Sequence, residues 1–96
     1  VGNTAFATFV TGQGGTTNNF RATHTDDPIP KLPSRTLGYL QWGPEYWIRA
    51  DTGVTVHAND IDEIDGVETS TGNAGTLPTF DIPAHEWYFN AVAACI

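Results

Sequence analysis

An α/β fold, and an incomplete one, is what this sequence predicts, on three observations. Strand-like runs alternate with helical stripes. An aspartate stands just past the end of one such run, where open α/β sheets place their chemistry. The chain also carries an acid and a base of the kind that serve a nucleophile, in Thr23-His24-Thr25-Asp26-Asp27-Pro28-Ile29-Pro30 and Asp81-Ile82-Pro83-Ala84-His85, yet it has no motif for the nucleophile itself.

The first element is a short amphipathic helix. Asn3 is a good N-cap, Phe6, Phe9 and Val10 share one stripe, and Gly12-Gln13-Gly14-Gly15 is expected to stop the pattern. After Thr16-Thr17-Asn18-Asn19, the β-branched and aromatic run Phe20-Arg21-Ala22-Thr23-His24-Thr25 reads as a strand that breaks at Asp26-Asp27-Pro28. Pro28, Pro30 and Pro33 then stiffen an extended loop, since each fixes φ and withholds a backbone donor. Glu45–Arg49 and Gly53–His57, joined by Ala50-Asp51-Thr52, are expected to pair as a hairpin. Residues 65–79, rich in Gly, Thr and Asn, read as a surface loop. The apolar run Trp87 to Ala94 has helical spacing and is expected to pack on the sheet.

Composition narrows the function classes. The chain has 96 residues, 40% of them hydrophobic and 11% aromatic, which suffices for one packed unit and argues against disorder. Four Lys and Arg face eleven Asp and Glu, so a surface that tracks phosphates, and with it nucleic acid as a partner, is excluded. No run approaches the roughly 18 apolar residues that span a bilayer. Val1-Gly2-Asn3-Thr4 does not open like a signal peptide, so any such segment is expected upstream or removed. An acidic, soluble, secreted chain fits best.

Cys95 is the single cysteine. In a reducing compartment it would be a buried, inert thiol. In a secreted chain an odd cysteine points to pairing with another chain, and a disulfide from Cys95 to the polypeptide that carries the nucleophile would account for both omissions.

The nucleophile is missing on residue grounds: Ser34 and Ser70 are the only serines, and neither lies in a G-x-S-x-G elbow. Asp27, rigidified by Pro28, suits a triad acid, but Asp26 is chemically identical, and a turn aspartate that caps local amides is the commoner role for either. Of the three histidines, His24 sits close to Asp27 on the same strand exit and more naturally fixes the local loop. His57 lies in a polar segment beside Ala58-Asn59-Asp60, and His85 follows the Pro83 loop on a rigid mount. His85 is therefore the candidate base. The acidic stretch Asp60-Ile61-Asp62-Glu63-Ile64-Asp65-Gly66 departs from the D-x-[DN]-x-[DN]-G calcium loop and reads as a solvated strand or turn, so neither a metal nor a cofactor is expected. Trp42, Trp47, Trp87, Tyr39, Tyr46 and Tyr88 could form a sugar platform, but their placement in apolar patterns favours core packing.

Several of these segments, taken together, resemble a known family. Arg21-Ala22-Thr23-His24-Thr25-Asp26-Asp27-Pro28-Ile29-Pro30-Lys31-Leu32-Pro33, Gly38-Tyr39, Pro44-Glu45-Tyr46-Trp47-Ile48 and Ile82-Pro83-Ala84-His85-Glu86-Trp87-Tyr88-Phe89, with Val1-Gly2-Asn3 and Ala5-Phe6-Ala7 ahead of them, are similar to the carboxy-terminal third of filamentous-fungal class 3 lipases. The likeness spans nearly the whole chain. It implies that residues 1–96 are the carboxy-terminal part of one α/β-hydrolase domain, a mostly parallel sheet flanked by helices. Its pattern H-[ST]-[ND]-D-x-[VI]-P implies Asp27 as the triad acid, and A-H-x-W-Y-F implies His85 as the base. It further implies that Cys95 bonds to a cysteine near the start of the full-length protein, and that serine, oxyanion-hole residues and lid lie on an amino-terminal part. Ile29, Leu32 and Ile82 fall on acyl-groove positions. Glu86 stands where an apolar residue is usual, which argues against strong interfacial activation and for partial glycerides or shorter esters, a lipid–water interface being among the partners the resemblance implies. The expected activity is ester hydrolysis on acylglycerols, the alternatives being a feruloyl-type esterase or a non-catalytic binding module on the same scaffold.

Overall fold

The computed structural model describes residues 2–92, so the predicted Cys95 disulfide lies outside the described residues. Strand β1 (Gly2–Asn3) pairs antiparallel with β3 (Tyr39–Leu40) as a short ribbon. The main sheet has three strands in the order β2 (Arg21–His24), β4 (Glu45–Ile48), β5 (Ile61–Ile64), parallel between β2 and β4 and antiparallel between β4 and β5. Helix α1 (Thr4–Asn18) precedes β2, and a single turn, α2 (Ile82–His85), follows the long loop after β5.

The predicted cap of α1 is present: the Asn3 side chain accepts from the Phe6 amide at 2.9 Å. The helix does not stop at the glycines, however, and runs on to Asn18. Each helical glycine costs about 1 kcal/mol relative to alanine, and side-chain bonds within the helix, at its end and to Gly43 offset this. Thr11 Oγ1 donates to the Ala7 carbonyl and accepts from the Gly43 amide, and Asn19 Nδ2 donates back to the Val10 carbonyl.

The expected hairpin partner is corrected. A turn in which the Val54 amide donates to the Asp51 carbonyl, with Gly53 at φ 82°, sends residues 53–57 away from the sheet. A one-turn 3-10 helix, Ala58–Asp60, then brings the acidic stretch against β4 as β5, with Ile61 opposite Ile48 and Ile64 opposite Glu45. Asp60 caps this turn by accepting from the His57 amide at 2.8 Å. The ladder extends through the Arg49 amide to the Asp60 carbonyl and an Arg49–Asp62 ion pair at 3.0 Å. Two isoleucines across from β4 offer more apolar burial than the exposed Val54.

The expected helix from Trp87 onward is also corrected. Past α2 the chain folds back so that Trp87 bridges Ala91 and the Val92 amide donates to the Glu86 carbonyl. Residues 93 and 94 lie outside the described residues. A side-chain bond from Tyr88 holds this turn, as described below.

The interior reverses the usual arrangement. Thr23, His24, Asp27, Glu45, Glu68 and Asn73 are buried, whereas Phe6, Phe9, Phe20, Leu32, Leu77, Phe80 and Phe89 are exposed. Expected aromatic packing is correspondingly partial: Tyr39 is exposed, and the other five Trp and Tyr residues are half-buried. Phe20, Ala22, Tyr46, Ile48, Ile61 and Phe89 line an open apolar hollow of about 380 Å³ on the sheet. Among the described residues no helix is long and apolar enough to cross a membrane.

Candidate active site

Strand β2 delivers the acid turn. Its last backbone bond runs from the Thr25 amide to the Ile48 carbonyl at 2.8 Å, after which the chain turns sharply with Thr25 at φ 36°. A β-branched residue in that region is strained by on the order of 1–3 kcal/mol. Neighbours hold it there: the Thr25 carbonyl accepts from Trp47 Nε1 at 2.9 Å and from Asn73 Nδ2 at 3.2 Å. The same Asn73 amide donates to the Asp27 carbonyl at 3.0 Å, so one buried side chain fixes both sides of the turn.

Asp27 is fully buried, and its carboxylate is well supplied with donors. Oδ1 accepts from the Ile29 amide at 2.9 Å. Oδ2 accepts from the Tyr88 hydroxyl at 2.7 Å and faces His85 Nδ1 at 3.1 Å. The His85 side chain is 45% exposed while that of Asp27 is 0% exposed, so the imidazole bridges a sealed carboxylate and open space. With Nδ1 engaged, Nε2 is the nitrogen left to exchange a proton with a ligand. Burial, and then the bond to Asp27, push the Tyr88 hydroxyl well above the ordinary tyrosine range, so it remains a donor at any working pH.

Geometry separates the two aspartates. Asp26 is half-buried and turns the other way, where Oδ2 accepts from Thr79 Oγ1 at 2.7 Å. That bond is the main cause holding the Asp26 carboxyl below its usual value, with Lys31 adding to it. Lys31 Nζ donates to the Leu77 carbonyl at 2.9 Å and the Asp26 carbonyl at 3.3 Å, and burial lowers its pKa. These contacts tie residues 77–79 to the acid turn. Asp81 then caps α2 by accepting from the Ala84 amide at 3.1 Å, with a proline in the first helical turn, and His85 closes that turn.

A polar group lies behind the pair. Arg21 Nη2 meets Glu45 Oε2 at 3.2 Å, and Glu45 Oε1 accepts from Thr23 Oγ1 and, at 3.2 Å, from the Asn73 amide. A side chain at Gly72 would collide with the Glu45 carboxylate, so only glycine allows this approach. Sequence reasoning missed Asn73, buried within what reads as a surface loop, and Tyr88, read as packing. Neither has a signal of its own in spacing or composition.

The remaining candidates are less gathered. Ile29, Leu32, Ile82 and Glu86 are all exposed. Leu32 lines a groove of about 290 Å³ with Pro28, Lys31, Ser34, Pro78, Thr79 and Phe80, while Ile29, Ile82 and Glu86 do not. His57 is exposed and is bonded through its amide to Asp60, with no bond to Asp27 or His85. No group of three or more His, Cys, Asp or Glu among the described residues could hold a metal ion.

No family model matches the chain. It is 51% identical over 96 residues to the secreted mono- and diacylglycerol lipase A of Penicillium cyclopium, covering 98% of this chain and 30% of that protein. Secreted mono- and diacylglycerol lipase 1 of Fusarium solani is 43% identical over 98 residues, covering 99% and 28%. Among solved structures, the N225Q mutant form of the Penicillium cyclopium enzyme superimposes with a TM-score of 0.87 at 49% identity, over 96% of this chain and 34% of that one. The chain thus spans about 30% of the length of the curated relatives it matches. In sequence and backbone alike, it is similar to the carboxy-terminal part of filamentous-fungal lipases, and its fold is part of an α/β-hydrolase.

Proposed function

We propose that this chain supplies the acid and the base of a secreted carboxylic ester hydrolase, and that the serine nucleophile belongs to an amino-terminal part not contained in these 96 residues. One observation carries the reading. The buried Asp27 carboxylate holds Nδ1 of a half-exposed His85, which is the acid–imidazole half of a Ser-His-Asp triad.

In the completed enzyme, His85 Nε2 takes the serine proton as the serine oxygen bonds to the ester carbonyl carbon. Asp27 keeps the other ring proton on Nδ1 and stabilises the imidazolium that forms. Donors on the amino-terminal part hold the oxyanion. His85 next gives its proton to the leaving alcohol as the acyl–oxygen bond breaks. Water, deprotonated by the same imidazole, then releases the carboxylic acid and regenerates the serine.

Supporting the need for a second part are the exposed Phe6, Phe9, Phe20 and Phe89 and the uncovered sheet hollow, which together leave more apolar surface bare than a finished unit tolerates. Cys95 is proposed to tether the parts by a disulfide. The substrate class follows the named activity of the relatives, mono- and diacylglycerols. The exposed carboxylate of Glu86 beside His85 agrees with a partial glyceride, whose free hydroxyl a charge tolerates better than a third acyl chain. Ile29, Leu32 and Ile82 are proposed to flank the acyl chain.

The test uses the protein in which this chain is joined to its nucleophile-bearing part. Asp27→Asn and His85→Ala are each expected to lower kcat on a diacylglycerol by at least about 10³-fold with the fold retained. Near-full turnover in either variant excludes the assignment.

A further inference from the structure

His24 has so far served only as a strand end, yet its ring sits in an unusual place. The side chain is fully buried. Nδ1 lies 2.8 Å from the Ala84 carbonyl oxygen, and Nε2 lies 2.7 Å from the Ala50 carbonyl oxygen. A carbonyl oxygen only accepts, and a neutral imidazole carries a single N–H. Either neutral tautomer would therefore press a nitrogen lone pair against an oxygen lone pair at hydrogen-bond distance, and would deny a donor to the buried Ala84 carbonyl or to the part-buried Ala50 carbonyl. A ring with hydrogen on both nitrogens satisfies both carbonyls at once.

We propose that His24 is a doubly protonated imidazolium that clamps the turn after β4 to the helical turn bearing His85, and thereby acts as a positioning residue for His85. The clamp reaches the base in one step, because Ala84 precedes it in the chain. Ala84 is itself fully buried and pinned at both backbone groups, its amide by Asp81 Oδ1 and its carbonyl by His24 Nδ1. The Ala84–His85 peptide is thus held through its carbonyl and the Pro83–Ala84 peptide before it through its amide, so the entry to His85 is fixed from both sides of Ala84.

The surroundings suit a cation. The His24 carbonyl accepts from the Asp27 amide at 2.9 Å, which puts the buried Asp27 carboxylate on the same turn. The Tyr88 ring lies 5.7 Å from the His24 ring, centroid to centroid and tilted by 48°, within the range of a cation–π contact. The ionisable groups on the enclosing elements are Arg21, Asp26 and Asp27 on its own strand and turn, Glu45 and Tyr46 on the paired strand β4, Arg49 and Asp51 around Ala50, and Asp81, His85, Glu86 and Tyr88 around Ala84. Carboxylates dominate that set.

The charge and the positioning role are tested separately. In the complete, 15N-labelled enzyme at neutral pH, long-range proton–nitrogen correlation reads the state of each ring nitrogen, with His24 assigned as the ring whose signals are lost in His24→Gln. Both His24 nitrogens are expected in the protonated range. One nitrogen in the unprotonated range overturns the proposal, whether or not His85 is the catalytic base. The positioning role rests on the function proposed above. His24→Gln can donate to only one of the two carbonyls, and it is expected to lower kcat roughly tenfold while KM stays within about twofold. An unchanged kcat overturns the positioning role; activity retained in His85→Ala would instead overturn the assignment of the base and leave the ring measurement standing.

Discussion

Tyr88→Phe is the most informative single change at the acid. It deletes one oxygen, keeps the ring that faces His24, and leaves Asp27 Oδ2 with His85 as its remaining donor in place of two. A hydrogen bond to a buried carboxylate at 2.7 Å belongs to the charge-assisted class, worth about 1.5–3 kcal/mol. Asp27 retains the Ile29 amide on Oδ1, so the carboxylate is not stranded, and the lower half of that range applies. A loss of about 1.5–2 kcal/mol in orientation of the acid corresponds to a fall in kcat of roughly 10- to 30-fold. The assay is kcat and KM on a soluble short-chain ester, which removes interfacial binding from the comparison, with a denaturant midpoint measured alongside. Because the Tyr88 hydroxyl is pushed above the ordinary range and stays protonated, wild type and variant should differ by a constant factor across neutral pH. A variant within twofold of wild type, equally stable, would refute the claim that this hydroxyl orients the acid.

Two further predictions concern the supports. Asn73→Ala removes donors to the carbonyls of Thr25 and Asp27 and should cost about 2 kcal/mol of stability, read as a lower urea midpoint, with kcat falling because the strained turn relaxes. Thr79→Val removes the chief cause of the lowered Asp26 pKa. Since that value lies below the unfolded one, the stabilisation is present above about pH 4 and lost as pH falls through the folded value. The variant should therefore be less stable at neutral pH, by no more than roughly 0.5 kcal/mol for so accessible a group, and should lose less stability than wild type on acidification.

Reading along the chain brought Asp27 and His85 forward as candidates because both sit at local events, a strand end broken by Asp26-Asp27-Pro28 and a capped turn after Pro83, and the structure sets the two side chains in contact. The choice between Asp26 and Asp27 was not local. It depends on Thr79 taking one and Tyr88 the other, contacts spanning more than fifty residues. The hairpin failed for a related reason, since Gly53-Val54-Thr55-Val56 has strand-like residues, but β4 is better matched by the isoleucines of β5. Glycines misplaced the end of α1 because propensity counts only the backbone of the helix, whereas Thr11 ties it to Gly43 and the Asn19 side chain closes its end by bonding back to Val10. Asn73 and Glu45 were invisible as buried groups, because polar residues are read as surface unless a partner is already known.

Trp47 is a built-in magnetic probe. Its indole N–H donates to the Thr25 carbonyl, two residues before Asp27, from a strand paired on both sides. The indole N–H resonance of this tryptophan therefore senses whether the turn before Asp27 is closed. Unfolding of the whole chain is not needed to move that signal; opening of the turn alone would suffice. A native side chain thus offers a way to watch, in real time and without an added label, whether the proposed nucleophile-bearing part docks against the Asp27–His85 pair.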